Sequence, residues 1–391
     1  MVGMRNICRI FIFTALLFLP FQNGFAVNIS IPTMELMTWG RMENDVFGLF
    51  SRAYMEILFE GGYKFGGRVE FQYDDGSLEE SRDLSGIYDS TEVEKSLQKN
   101  LMFKSISVEM YRLFESRINL VYFSGTTDVF ASGDVFPRTF GTADIASAVK
   151  GYGYFPTGVI YDGIHTVRGT GVKLHAPEFS DWMQLSLYSY QDEYVGRGRY
   201  SSDFRGVFNR EDLKIETFIG ATYPVSTYGV YRAGLLFYYS TGLGGEFFTQ
   251  IGIPRWDPGL DTTITIDNFY LLFEPRVRID LFSIFLTLFW HPQYYHQQET
   301  DESGTMDIII RFAYGDVEKT MLSAGLENGL TLQTRAGDQV MFRISPFLSM
   351  VTSGVIWDFK VNVRLYPYSV RQYPYGLGEI IETYIGFKTE L

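Results

Sequence analysis

Basic side chains recur in this sequence on one side of a two-residue period. Lys64, Arg68, Lys214, Arg232, Arg311, Arg343, Lys360 and Arg364 fall on the polar side of segments that alternate polar and apolar residues, and Lys173 continues the series. Acids expected on that side are fewer: Glu70, Glu216, Asp307 and Asp358. An unpaired charge facing hydrocarbon costs about 2–4 kcal/mol at the bilayer midplane. The charged side must therefore face water if the apolar side faces lipid. A water-filled passage with an excess of base would sieve solutes by size and charge and mildly favour anions. Pairing of the same charges into a closed structural network is the competing expectation.

The elements that would position these charges are strands. Tyr63, Phe65, Val69, Phe71 and Tyr73 alternate with Lys64, Arg68, Glu70 and Gln72. Leu213, Ile215, Ile219 and Tyr223 alternate with Lys214, Glu216 and Thr222. Trp357, Phe359, Val361, Val363 and Leu365 alternate with Asp358, Lys360, Asn362 and Arg364. Strict alternation marks a strand with one apolar face, and lengths of about 9–11 residues suit a tilted membrane strand. About sixteen such segments are read, with 14–18 allowed. Their spans are 52–60, 63–73, 102–112, 117–124, 166–176, 181–191, 212–223, 228–240, 245–253, 266–276, 279–291, 305–314, 318–327, 339–351, 354–366 and 379–391, with a further short one at 33–41. The run Leu281–Trp290 is apolar on both faces and is read as one strand lying against an inserted loop.

Short connections at 315–317 and 352–354 alternate with longer ones at 292–304, 328–338 and 367–378, where Asn328-Gly329 reads as a hairpin signal. The alternation breaks between 192 and 227. There a long connection, 192–211, falls where a short one is due. Residues 74–100 and 125–165 break the strand pattern. The first carries a capped helical turn beginning at Ser90 or Thr91, and the second a helix-compatible piece from Thr142.

Composition agrees. Aromatic residues make up 17% of the chain, with 39 glycines, while mean hydropathy is only -0.02. That excludes a bundle of apolar helices and suits one-sided strands with aromatic girdles. The N-terminus has Arg5 and Arg9, an apolar run Ile10–Leu19, and Gly24-Phe25-Ala26, the pattern of a secretory signal cleaved after Ala26. The one cysteine, Cys8, precedes the apolar run, so the exported chain would hold no disulfide and no lipid-modified cysteine. A formal net charge of -13 argues against nucleic-acid binding.

Little else could do chemistry. His291 and His296 stand five apart across Pro292 with no cysteine near, a poor metal-ligand spacing. No nucleophile elbow, HExxH or phosphate-cradling loop is present, so neither an enzyme nor a cofactor is expected. Arg197, Arg199, Arg205 and Arg210 could form a ligand patch, but a solvated hairpin rim is the simpler reading.

At 117–191 the sequence resembles bacterial general porins. Arg168, then Thr170 and Gly171, an alternating strand and Ala176-Pro177 match the segment that follows the constriction loop in that family. The resemblance implies that 125–165 folds inward and narrows a channel. Pore-lining candidates are then Arg68, Arg168, Lys173, Lys214, Arg232, Arg311, Arg343, Lys360 and Arg364. The chain ends in Leu391 where porins end in phenylalanine, although Ile385, Phe387 and Leu391 keep the terminal alternation.

These readings converge on an all-β protein: a transmembrane antiparallel up-and-down β-barrel occupying 27–391 as a single domain, in the outer membrane of a diderm bacterium. Passive diffusion of small hydrophilic solutes is the expected function. Transport of hydrophobic ligands and an adhesin-type barrel are the alternatives, with a soluble periplasmic β-protein behind them. Expected partners are outer-membrane lipid, the barrel-assembly machinery through the C-terminal strand, and sister chains in a homotrimer.

Overall fold

The computed structural model describes residues 27–43, 46–61, 64–75, 100–142, 145, 147, 163–196, 198–223, 229–261, 263–295, 298–299, 303–316, 320–333, 339–365 and 380–389. The expected signal segment 1–26 and the helical turn near Ser90 lie outside them, as does much of the piece that begins at Thr142.

Strands dominate. In order they are β1 (Val27–Glu43), β2 (Val46–Gly61), β3 (Phe65–Asp75), β4 (Asn100–Met110), β5 (Asn119–Phe130), β6 (His165–Ser180), β7 (Met183–Asp192), β8 (Tyr200–Arg210), β9 (Leu213–Tyr223) and β10 (Val230–Ser240). They continue with β11 (Gly245–Trp256), β12 (Tyr270–Ile279), β13 (Phe282–Trp290), the short pair β14 (Tyr294–Tyr295) and β15 (Gln298–Glu299), then β16 (Thr305–Asp316), β17 (Leu322–Gln333), β18 (Gln339–Thr352), β19 (Val355–Leu365) and β20 (Ile381–Thr389). One short helix, α1 (Val135–Phe140), follows β5.

Among the described residues, apart from β14 and β15, 18 strands form one sheet in which each pairs antiparallel with its neighbours in sequence. The last pairs with the first, Leu36 opposite Phe387 and Arg41 opposite Glu382, so the ladder runs full circle. The count exceeds the sixteen read from alternation by two strands. One is β1, which the sequence offered only as a short segment at 33–41. The other is β8, which falls within the long connection expected at 192–211. Its inward face is Ser201, Asp203 and Arg205, all buried, and Ser202 and Gly206 dilute the outward face, so the apolar period is weak. With β8 in place the alternation of connections is restored. Turns at 181–182, 211–212, 241–244, 280–281 and 353–354 share one end of the ring with 62–64, 111–118 and 317–321. The longer connections 76–99, 131–164, 257–269, 291–304 and 366–380 share the other. Asn328-Gly329 is no hairpin; it lies inside β17, paired with Ile344 and Arg343 of β18.

The two faces of the sheet differ as the alternation requires. Ile106, Val108, Leu187, Ile219, Ile251, Phe273, Ile310, Phe312, Leu326, Leu348 and Ile385 are exposed on the outward face. Arg205, Glu216, Arg232, Gln250, Glu274, Arg311, Glu327 and Glu382 are buried on the inward face. An apolar outside and a polar inside invert the arrangement of a soluble barrel and match a membrane one. Phe359 stands opposite Leu348 and Ile385 on the outward face, and Lys360 points the other way.

Replacing Phe359 with arginine should therefore cost about 2–4 kcal/mol of insertion, seen as a lower folded, heat-modifiable fraction after refolding into vesicles. Phe359→Leu should fold as the parent does. Equal folding of both variants would mean that β19 is faced the wrong way.

Candidate functional site

The inward face is filled unevenly. Up to Gly125, β5 pairs with β4; Gly125 has φ +99°, and a Cβ there would meet the Lys104 carbonyl oxygen at 2.2 Å. Pairing with β4 ends at Gly125, while Thr126–Phe130 stay paired with β6. Released from one neighbour, the chain turns into the ring and carries α1 with it.

The loop that follows is bonded to the wall formed by β8–β12. The Ala131 amide donates to Glu216 Oε1 at 2.7 Å, and the Ala131 carbonyl accepts from Gln250. Ser147 Oγ donates to Glu274 Oε2 at 3.1 Å, and Arg276 donates to the Ile145 carbonyl at 3.3 Å. Between these bonds lies an apolar layer. Phe130, Phe136, Ile145 and Ile164 pack with Phe218, Leu236, Phe248, Tyr270 and Phe289. Phe130 sits with its ring centroid 5.1 Å from that of Phe218 and 5.2 Å from that of Tyr188. Glycine makes the wall thin where the loop returns: a Cβ on Gly234 or Gly252 would lie 2.9 Å from Ile164 Cδ1. The both-sided apolar character of β13 has this cause, since Phe289 faces the inserted layer and Leu286 and Leu288 lie on the opposite face.

The rest of the interior is polar. A cavity of ≈ 370 Å³ lies under the inserted loop, lined by residues from β2–β8 together with Ser132, Val135 and Thr139 of the loop. Its charged lining is Arg68, Lys173 and Arg205 against Glu60, Glu109 and Asp128. Asn119 donates to Glu109 at 2.9 Å, and Lys173 Nζ reaches Asp128 at 2.8 Å. Asp128 also accepts from Arg205 and from the Tyr188 hydroxyl, at 3.3 and 3.0 Å.

The nine candidate residues are placed as follows. Arg68 pairs with Glu56 at 2.9 Å, and Arg232 grips Asp203 through two bonds of 2.7 and 2.8 Å. Arg311, Arg343 and Lys360 converge on one carboxylate, Glu327; Arg343 stands 3.1 Å and Lys360 3.2 Å from Oε1, with Arg311 on Oε2. Arg364 pairs with Glu382 at 2.8 Å. Lys214 is buried with its ammonium 5.2 Å from the Tyr238 ring. Lys173 belongs to the cavity. Arg168 departs from the expectation: it shares the exposed face of β6 with Thr170, Val172 and Leu174, and pairs with Glu193 beyond β7 at 3.0 Å. The two-residue period puts it on the face opposite Lys173. Lys64 is exposed in the turn before β3.

Sequence reading missed the acids that answer these bases. Asp203 lay in the unread strand β8, and Asp128 in a stretch read as loop. Glu274 shares one face of β12 with Tyr270, Leu272 and Arg276, and that face meets the inserted loop. Of the expected acids, Asp307 accepts from His291 at 2.8 Å, which gives that histidine a structural role in the wall. The arginine series near 200 is dispersed. Arg205 is inside the ring, Arg210 ends β8 at the turn end, and Arg199 precedes β8 at the loop end; Arg197 lies outside the described residues.

A closed antiparallel ring with an apolar exterior, a polar interior and an inserted loop defines a porin-like transmembrane β-barrel. Three crystal structures of Pseudomonas aeruginosa proteins are similar to it: OccK2 (OpdF), at 12% identity and TM-score 0.55 over 94% of this chain and 99% of that one; OpdL, at 11% and 0.53 over 93% and 98%; and OccK8 (OprE), at 10% and 0.53 over 94% and 99%. No family model matches the chain, and no curated protein matches it by sequence.

Breaking a buried ion cluster by removing one partner costs about 3–5 kcal/mol. Glu327→Gln should therefore lower unfolding stability in urea by about 3 kcal/mol, and adding Arg311→Met should recover part of it. A single variant as stable as the parent would mean that the three cations do not depend on Glu327.

Proposed function

We propose that this protein is an outer-membrane channel through which small hydrophilic solutes diffuse passively. The observation that carries the reading is the polar cavity inside a closed ring, beneath a loop bonded to one wall. A loop so held narrows a passage without filling it, and a passage of this kind works by sieving. No reaction step and no cofactor enters the proposal.

Charge preference follows from pairing. The anion preference expected from sequence rests on nine bases against four acids. Glu56, Asp128, Asp203, Glu274, Glu327 and Glu382 now stand on the same inward side, each within ion-pair distance of a basic group. The cavity lining holds equal numbers of each sign. Size is thus the main sieve, and the excess of base that would favour anions is largely cancelled.

The proposal includes the rest of the expected setting. The chain is exported with cleavage after Ala26 and resides in the outer membrane of a diderm bacterium as a single barrel domain. Lipid surrounds its apolar face, the barrel-assembly machinery takes the C-terminal strand, and sister chains form a homotrimer.

Purified protein in planar bilayers should show discrete conductance steps and a reversal potential near zero in a salt gradient. Gln250→Ala with Glu274→Ala, which removes two wall partners of the inserted loop, should raise conductance or make it noisy. A folded, inserted barrel that passes no current would overturn the channel reading.

A further inference from the structure

The outward face is not apolar throughout. Cross-strand register defines rows that run from strand to strand. One row passes through Met110, Leu120, Leu174, Leu187, Phe204, Ile219, Ala233 and Ile253, and every side chain in it is apolar. It begins at the last residue of β4, at the turn end of the ring. It finishes near the last residues of β11, at the loop end. Rows therefore climb toward the loop end as strand number rises.

The next two rows are different. One runs Val108, Tyr122, Val172, Ser189, Ser202, Ala221, Tyr231, Trp256, and the other Ile106, Ser124, Thr170, Gln191, Tyr200, Tyr223, so that polar residues enter both rows across β5–β8, beyond their apolar β4 members. Their far members make an aromatic border at the loop end: Tyr223 donates to the Tyr231 hydroxyl at 2.7 Å, and Tyr231 meets Trp256 with ring centroids 5.8 Å apart. Aromatic girdles mark the membrane interface. Because the rows climb, Ser124, Thr170, Ser189 and Ser202 lie nearer the turn end than that border, at the level of the hydrocarbon. Thr170, Ser189 and Ser202 are exposed, and Ser124 and Thr170 bond to each other at 2.9 Å. Above them on the same face stands the half-exposed pair Arg168 and Glu193, joined by bonds of 3.0 and 3.2 Å.

We propose that this outward face of β5–β8 is where a second copy of the chain packs. Polar groups facing hydrocarbon need partners, and membrane-spanning segments associate through small residues that allow close approach and through hydroxyls that bond across the contact. Ser124, Thr170, Ser189, Ser202, Gly206 and Ala221 supply both. The patch is also complementary to itself. Its hydroxyls and the Gln191 carboxamide donate and accept, and Arg168 and Glu193 present both signs of charge, so an identical surface satisfies it. A lipid headgroup would have to be drawn below the aromatic border to do the same. Closed symmetric assembly of identical chains is the usual outcome of such a contact. The inference rests on the outer-membrane barrel reading and names the face through which sister chains meet.

Single cysteines test it in a Cys8→Ser background. Ser189→Cys and Ser202→Cys, treated with a short bismaleimide in native membranes, should give cross-linked oligomers, whereas Ile251→Cys and Ile310→Cys on other strands should stay monomeric. Thr170→Leu, Ser189→Leu and Ser202→Leu together should shift the mass of the detergent-extracted protein to that of one chain. Conductance per barrel should remain, so that loss of the contact is distinguished from loss of the channel. Cross-linking through the control strands instead would overturn the proposal. So would a parent that is monomeric by native mass, or retention of a glycolipid that the leucine substitutions release.

Discussion

Inside a bilayer no water is available to the backbone, so every N–H and C=O must find its partner within the chain. That constraint governs the rest of the structure. It requires a sheet without edges, which the pairing of β1 with β20 supplies. It makes the side-chain period two along every strand, with one face toward lipid and the other toward the interior. The same constraint explains why the chain can leave the ladder only inward. Beyond Gly125 the strand β5 gives up one neighbour, and in the loop that follows the Ala131 amide and the Ala131 and Ile145 carbonyls are met by Glu216, Gln250 and Arg276 of the wall.

The interior answers a second need. Bases placed on the inward face are held by carboxylates on neighbouring strands, because the inserted loop and the apolar layer exclude water from part of the ring. Arg232 with Asp203, and Arg205 with Asp128 and Glu216, lie beside that layer and hold its margins. Farther round, three cations share Glu327. What remains is a polar cavity of ≈ 370 Å³ with both signs in its lining.

How clearly the sequence discloses these features follows a physical pattern. Strands such as β3, β9 and β19 were legible because lipid demands an apolar face and the inner face is charged, so the period is clear. β8 was not, since Ser202 and Gly206 weaken its outer face. The layer around Phe289 and Tyr270 obscures the facing of β13, because apolar residues there point inward as well. Likeness to a family segment implies a lumenal Arg168, whereas the register puts it on the other face.

Local order was thus determined by the sequence: alternation, strand length, the aromatic and glycine content, and the alternation of short and long connections follow from what each residue must face. Tertiary structure alone decided which acid meets which base, and how far the loop enters. Asp128 and Lys173 are 45 positions apart, and Ser147 and Glu274 are 127 apart. Such pairs depend on strand register summed around the ring, where a shift of one residue at any ladder would turn a side chain from the lumen to the lipid. A periodicity reports which side of its own strand a residue takes, but not which partner the closed ring brings opposite.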